Sequence, residues 1–239
     1  MRPIHKIIEP DTLALVWQAI DSERRKRFVV GKITRTPDGA ILEYLSNSDV
    51  EEARNLGFQG YPAFPRLTKK YSDSVMNSFV RRLPPRSRRD FSKYLGFHGI
   101  STDVEISDFA LLGYTGAKLP HDGFSFVHPF DTDEDFEFVI EVAGFRHRDN
   151  IHLDDLEIGM QAFFQPEPDN PKDPNAIKIV VENKHIGYVD RGRNLQVKQW
   201  MAQDRSIKAQ IFRFNGTEKR PLVYLILIVS AVLEKAGGS

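Results

Sequence analysis

Three prolines spaced three residues apart, Pro168, Pro171 and Pro174, stand just before the apolar run Ala176 to Val180, and no other feature constrains this chain as strongly. Each proline fixes its own φ, removes a backbone donor and pushes the preceding residue toward extended geometry. The segment Glu167 to Asn175 is therefore excluded from a helix and must form a rigid, turning loop that delivers a strand. Asp169, Asn170, Asp173 and Asn175 lie among the prolines. Their short side chains either bond nearby backbone groups or face a ligand, and the residues themselves leave both uses open.

The surroundings of this loop supply further anchors. Phe138 to Arg148 (FVIEVAGFRHR) reads as a strand ending in Gly-Phe-Arg, followed by Leu156, Gly159 and a strand over Met160 to Gln165 that runs into the proline block. His185 to Val189 (HIGYV), a helix-like stretch after Arg191 and two apolar strands complete the order. In sequence and spacing these anchors resemble a HIRAN domain, over about residues 136 to 232. The resemblance implies a pocket for single-stranded DNA or a 3′-hydroxyl end. In it Arg146 holds a phosphate, Asn170 and Asp173 bond the terminal nucleotide, and Tyr188 and Arg191 flank the backbone path. Arginine donors suit phosphate, and a carboxylate suits a free hydroxyl while repelling a terminal phosphate. Where DNA-binding members carry stacking aromatics this chain has His147 and Lys172. Base stacking contributes about 1 to 3 kcal/mol per base, so the departure bears directly on affinity. For Lys172 a phosphate contact and a solvated loop lysine both remain open.

The front half has another pattern. Leu13 to Ala19 and Phe28 to Arg35 are apolar, β-branched runs separated by the charged stretch Asp21 to Arg27, which reads as a hairpin. Thr36-Pro37-Asp38-Gly39 is a turn leading to a third strand over Ala40 to Leu45. Ser87 is expected to cap a helix in which Phe91, Tyr94 and Leu95 share a face, and Ser101 or Thr102 to cap a further helix that turns Ile106, Phe109, Ala110 and Leu112 inward. The Phe-Val-Arg-Arg-Leu-Pro element at 79 to 84 and the Leu-Leu-Gly at 111 to 113 resemble the amino-terminal subdomain of HipA-type kinases, over about residues 10 to 128. The kinase region that follows in that family has no counterpart here, and neither a Walker loop nor a Gly-x-Gly-x-x-Gly occurs, so kinase activity is not expected.

Arg81, Arg82, Arg86, Arg88, Arg89 and Lys93 form the densest basic patch, interrupted by Asp90. On a helix Arg82, Arg86 and Arg89 share a face, which either follows a phosphate backbone or an acidic partner, or is a solvated face of ion pairs. The junction His128 to Asp135 (HPFDTDED) reads as a short exposed linker.

Charge sets a further bound. There are 19 basic and 15 acidic residues up to position 130 and 14 against 18 after it, so the halves carry +4 and −4. This gives no support to a strongly cationic nucleic-acid binder, and any DNA contact must come from a local groove. Cysteine is absent from the 239 residues, which removes disulfides, thiolate metal sites and cysteine nucleophiles. The histidines form no metal motif, and no Gly-x-Ser-x-Gly elbow occurs. The first residues lack the apolar run of a secretion signal, and Leu222 to Leu233 is too short to span a bilayer and reads as a buried closing strand. A cytoplasmic setting is expected.

The expectation is an α+β protein. A small strand-and-helix module over residues 1–130, like the HipA amino-terminal subdomain, precedes a mainly β, OB-like HIRAN barrel over 136–235. Its function is expected to be non-enzymatic DNA binding through Arg146, His147, Asn170, Lys172, Asp173, Tyr188 and Arg191, with no metal and no cofactor. A bacterial toxin–antitoxin or phage-defence context follows from the two resemblances. The alternative is a protein-interaction module that docks on a HipA-type kinase or regulator without touching DNA.

Overall fold

A computed structural model describes residues 3–19, 26–119 and 121–230. The chain forms two compact units. One comprises Ile7–His98 and Thr102–Asp131; the other runs from Thr132 and includes Gly99–Ser101 and the segment ending at Lys6.

In the first unit, strands β1 (Thr12–Gln18), β2 (Arg27–Thr36), β3 (Gly39–Tyr44) and β4 (Phe124–Val127) make an antiparallel sheet in the order β3-β2-β1-β4. The expected hairpin forms and Pro37-Asp38 makes the tight turn; residues 21–25 of its other connection lie outside the described residues. Helix α1 (Ser48–Asn55) is capped by Asn47, whose side chain accepts from Val50 N at 3.1 Å. Helices α2 (Val75–Val80), α3 (Phe91–Phe97) and α4 (Asp108–Thr115) follow. The core is aromatic: Phe79 meets Tyr61 at 5.0 Å and Phe126 at 4.9 Å, edge to face.

Four expectations for this half are corrected. Ser87 does not cap α3, because turns closed by Arg88 N on Pro85 O and Phe91 N on Arg88 O carry the chain to that helix, which starts at Phe91 behind Asp90. The cap of α4 is Ser107, not Ser101 or Thr102: its Oγ accepts from Ala110 N at 3.0 Å, whereas Ser101 donates its backbone N–H to Ile4 O in the other unit's fold. The His128 to Asp135 junction is not exposed in its first half. His128 and Phe130 are buried and stacked at 3.8 Å, and the imidazole Nδ1 accepts from Phe130 N while Nε2 meets Ile8 O. Arg82, Arg86 and Arg89 share no helix, since α2 ends before Arg82 and α3 begins after Arg89.

The second unit holds β5 (Phe136–Glu141), β6 (Gln161–Pro166), β7 (Ile177–Val181), β8 (Lys184–Tyr188), α5 (Asn194–Ala202), β9 (Ser206–Thr217) and β10 (Arg220–Ser230). Its sheet runs β5-β10-β9-β6-β7-β8 and is antiparallel throughout. β6 pairs with β9 only through Gln161 and Ala162 and with β7 through Phe163 to Pro166, so it hands the sheet round a bend. The outer strands meet where Ala143 and Tyr188 exchange backbone bonds of 2.8 Å, giving a curled, half-barrel sheet. Trp200 of α5 packs on Phe136 and Phe138 beneath the curl. β10 is the expected closing strand up to Ser230; residues 231–239 lie outside the described residues. Among the described residues no helix is long and apolar enough to cross a membrane.

Candidate nucleic-acid interface

The proline loop turns back on itself through its own backbone. Glu167 N donates to Ala176 O at 2.8 Å, Asn170 N to Glu167 O at 3.1 Å and Ala176 N to Asp173 O at 3.0 Å. Two side chains lock these turns. Asn170 Oδ1 accepts from Lys172 N and Asp173 N at 3.0 and 3.2 Å, and Asp173 Oδ1 accepts from Asn175 N at 2.9 Å. Asp173 Oδ2 accepts from the buried Asn194 amide at 2.7 Å, at the start of α5. Arg191 closes the other side, donating to Lys172 O at 2.6 Å with its Nε 3.5 Å from Asp173 Oδ2.

Behind the loop lies a polar cluster with Glu167 at its centre. Its Oε1 pairs with Lys178 Nζ at 2.6 Å, and its Oε2 accepts from Asn170 Nδ2 at 2.6 Å and from the Tyr188 hydroxyl at 3.0 Å. The bonds from Lys178, Asn170 and Tyr188 hold the Glu167 carboxyl down at about 2. The same ion pair raises Lys178, and burial together with Glu167 raises Tyr188. His185 Nε2 lies 3.0 Å from Gly187 O, which assigns it the proton and leaves Nδ1 to accept from Arg148 Nη1 at 3.2 Å. Burial and the nearby Arg148 charge both push the imidazole down, which suits that neutral form. The Arg148 guanidinium stands 5.3 Å over the Tyr188 ring.

The Ala143–Tyr188 bridge sets the short 3-10 turn Phe145–His147 beside the end of β8. Arg146 and His147 are exposed on that turn, with Arg146 Nε 3.1 Å from His147 Nε2. The expected residues thus fall on three neighbouring segments, 143–148, 167–176 and 185–194. Asn170 and Asp173 have bonds within the loop and its supports, whereas Arg146, His147, Lys172 and Arg191 are exposed. Arg148, Glu167, Lys178, His185 and Asn194 belong to the same network and were not singled out from the sequence. Lys178 alternates with buried Ile177 and Ile179, a period-2 pattern that places it outward.

The second basic patch comes apart. Arg82 is buried, its guanidinium bonded to Ala117 O at 2.9 Å, Phe124 O at 3.0 Å and the Asp122 carboxylate. Arg86 donates to Asp108 and to Ile106 O.

Comparison with known proteins agrees with the second unit's reading: residues 135–223 match the family model of the HIRAN domain. Two solved structures are similar to the chain. The HIRAN domain of human HLTF is 19% identical, with 39% of this chain and 74% of that one covered at a TM-score of 0.33. A protein from Lactobacillus plantarum is 25% identical, with 40% and 96% covered at a TM-score of 0.34. No curated protein matches the chain.

Proposed function

We propose that the second unit binds single-stranded DNA and its 3′ ends, as a recognition module without catalytic chemistry of its own. The observation that carries this reading is the HIRAN match over 135–223, which spans all three segments of the interface. Arg146, Lys172 and Arg191 supply phosphate donors, and His147 and Tyr188 border the path. Asn170 and Asp173 shape the loop, and the Asp173 carboxylate, 16% exposed, offers its remaining acceptor capacity to a terminal hydroxyl. A terminal phosphate meets the same carboxylate and is repelled. Phosphate contacts by these three residues alone imply a slope of log K on log salt of about −2, and each further contact steepens it by about 0.7.

The test is fluorescence anisotropy of a labelled single strand ending in a 3′-hydroxyl or a 3′-phosphate, titrated with the full chain across a salt series. Tighter binding of the hydroxyl end with that slope is expected. Equal affinity for both ends retires end recognition, and no binding to either strand at low salt retires DNA as the ligand.

One observation favours a second reading: Asn170 and Asp173 make the bonds that a purely architectural loop would make. In that case the protein docks on another protein. The HipA-type resemblance of residues 10–128 points to a kinase or regulator, and the toxin–antitoxin or phage-defence context rests on that resemblance together with the HIRAN one. A complex nearly insensitive to salt would select this reading.

A further inference from the structure

Phe163 is 57% exposed in the middle of β6, although the neighbouring Phe164 lies opposite the fully buried Ile179. Isolated exposed apolar residues are ordinary and need no explanation. Its company sets Phe163 apart. Residues directly opposite across a ladder share a face, and the register runs Phe163–Val180–His185 in one row and Gln165–Lys178–Tyr188 in the next. Phe163 therefore shares the outward face with Lys178, His185 and Tyr188, while Arg148 reaches over the Tyr188 ring. Arg148 gives one Nη1 bond to His185, and Lys178, although paired with Glu167, has further ammonium donors. An exposed aromatic on one face with two cations, Lys178 shared with Glu167 and Arg148 over Tyr188, suits a strand that carries bases and phosphates together.

We propose that this face is a base-stacking platform: Phe163 stacks a base of the single strand whose end lies at the proline loop, and Lys178 and Arg148 meet the intervening phosphate. The proposal rests on the DNA-binding reading above. The two rows lie two residues apart along the strands, about 7 Å, a step that one nucleotide of extended single strand covers. Phe163 thereby supplies, from the sheet, the aromatic surface missing at positions 147 and 172.

The experiment compares the full-length protein with Phe163→Ala and Phe163→Trp, on labelled oligothymidine and on the same strand built with abasic sugars. Phe163→Ala is expected to weaken oligothymidine binding roughly five- to 150-fold and to leave the abasic strand unchanged. Phe163→Trp is expected to restore affinity, with its fluorescence quenched on binding. Wild-type binding that Phe163→Ala leaves intact overturns the platform and leaves the DNA reading standing. Equal losses on both strands overturn stacking, and wild-type protein that binds neither strand overturns the DNA reading and the platform together.

Discussion

Two polar stretches stood out in the sequence, the arginines at 81 to 89 and the acceptors at 167 to 175, and the structure uses them differently. Arg82 is consumed by the interior, its donors spread over two carbonyls and Asp122, so its charge supports the packing of the first unit. The proline loop binds inward with Asn170 and Asp173 and takes donors from Arg191, yet Arg146, Lys172 and Arg191 stay exposed at its rim. Density of charge along a chain says little about availability. What decides it is whether backbone carbonyls and carboxylates from distant segments converge on the same group and bury it, as they do Arg82 and not Arg191.

The largest expected effect is at Arg82. Arg82→Met leaves Asp122 and two carbonyls without their donor and is expected to cost about 3 to 5 kcal/mol, read as a lower denaturant midpoint. A loss under about 1 kcal/mol would place this arginine with the surface pairs and erase the contrast.

Glu167 comes next, with a dependence on pH. Its folded value of about 2 lies below the ordinary 4.5, so its contribution is fully present above the ordinary value and is lost as pH falls through the folded one. The stability gap between wild type and Glu167→Gln is expected to shrink steadily from pH about 5 to pH about 2. A gap that stays flat over that range in urea titrations would mean the carboxylate is not held by Lys178, Asn170 and Tyr188.

The smallest effect is at Arg86, whose pair with Asp108 is roughly half exposed on both sides. Arg86→Ala is expected to change stability by about 0 to 1 kcal/mol and to leave the salt slope of DNA binding unchanged. A slope reduced by about 0.7 would bring this arginine into the interface.

Much of the second unit was legible because its constraints are local. The prolines forbid a helix over 167–175, alternation marks β7, and Gly-Phe-Arg and His-Ile-Gly-Tyr-Val bracket the segments that the Ala143–Tyr188 bridge joins. The first unit was read well in its hairpin strands and poorly in its helices. Ser87, Ser101 and Ser107 are alike as local caps, and the choice among them fell to distant partners: Glu9 binds the Ser107 hydroxyl and N–H, and Ile4 takes Ser101. The Glu167 cluster was hidden for the same reason, because Lys178, His185 and Tyr188 meet only after β7 and β8 pair across a bulge. Phe163 gave no signal until the register placed it outward.

The most direct measurement of this contrast is amide hydrogen exchange of the full chain with and without a saturating single strand bearing a 3′-hydroxyl. Slower exchange confined to 143–148, 161–176 and 185–194, with 81–89 unchanged, is the predicted result. Protection centred on 81–89, or none in the second unit, would contradict it.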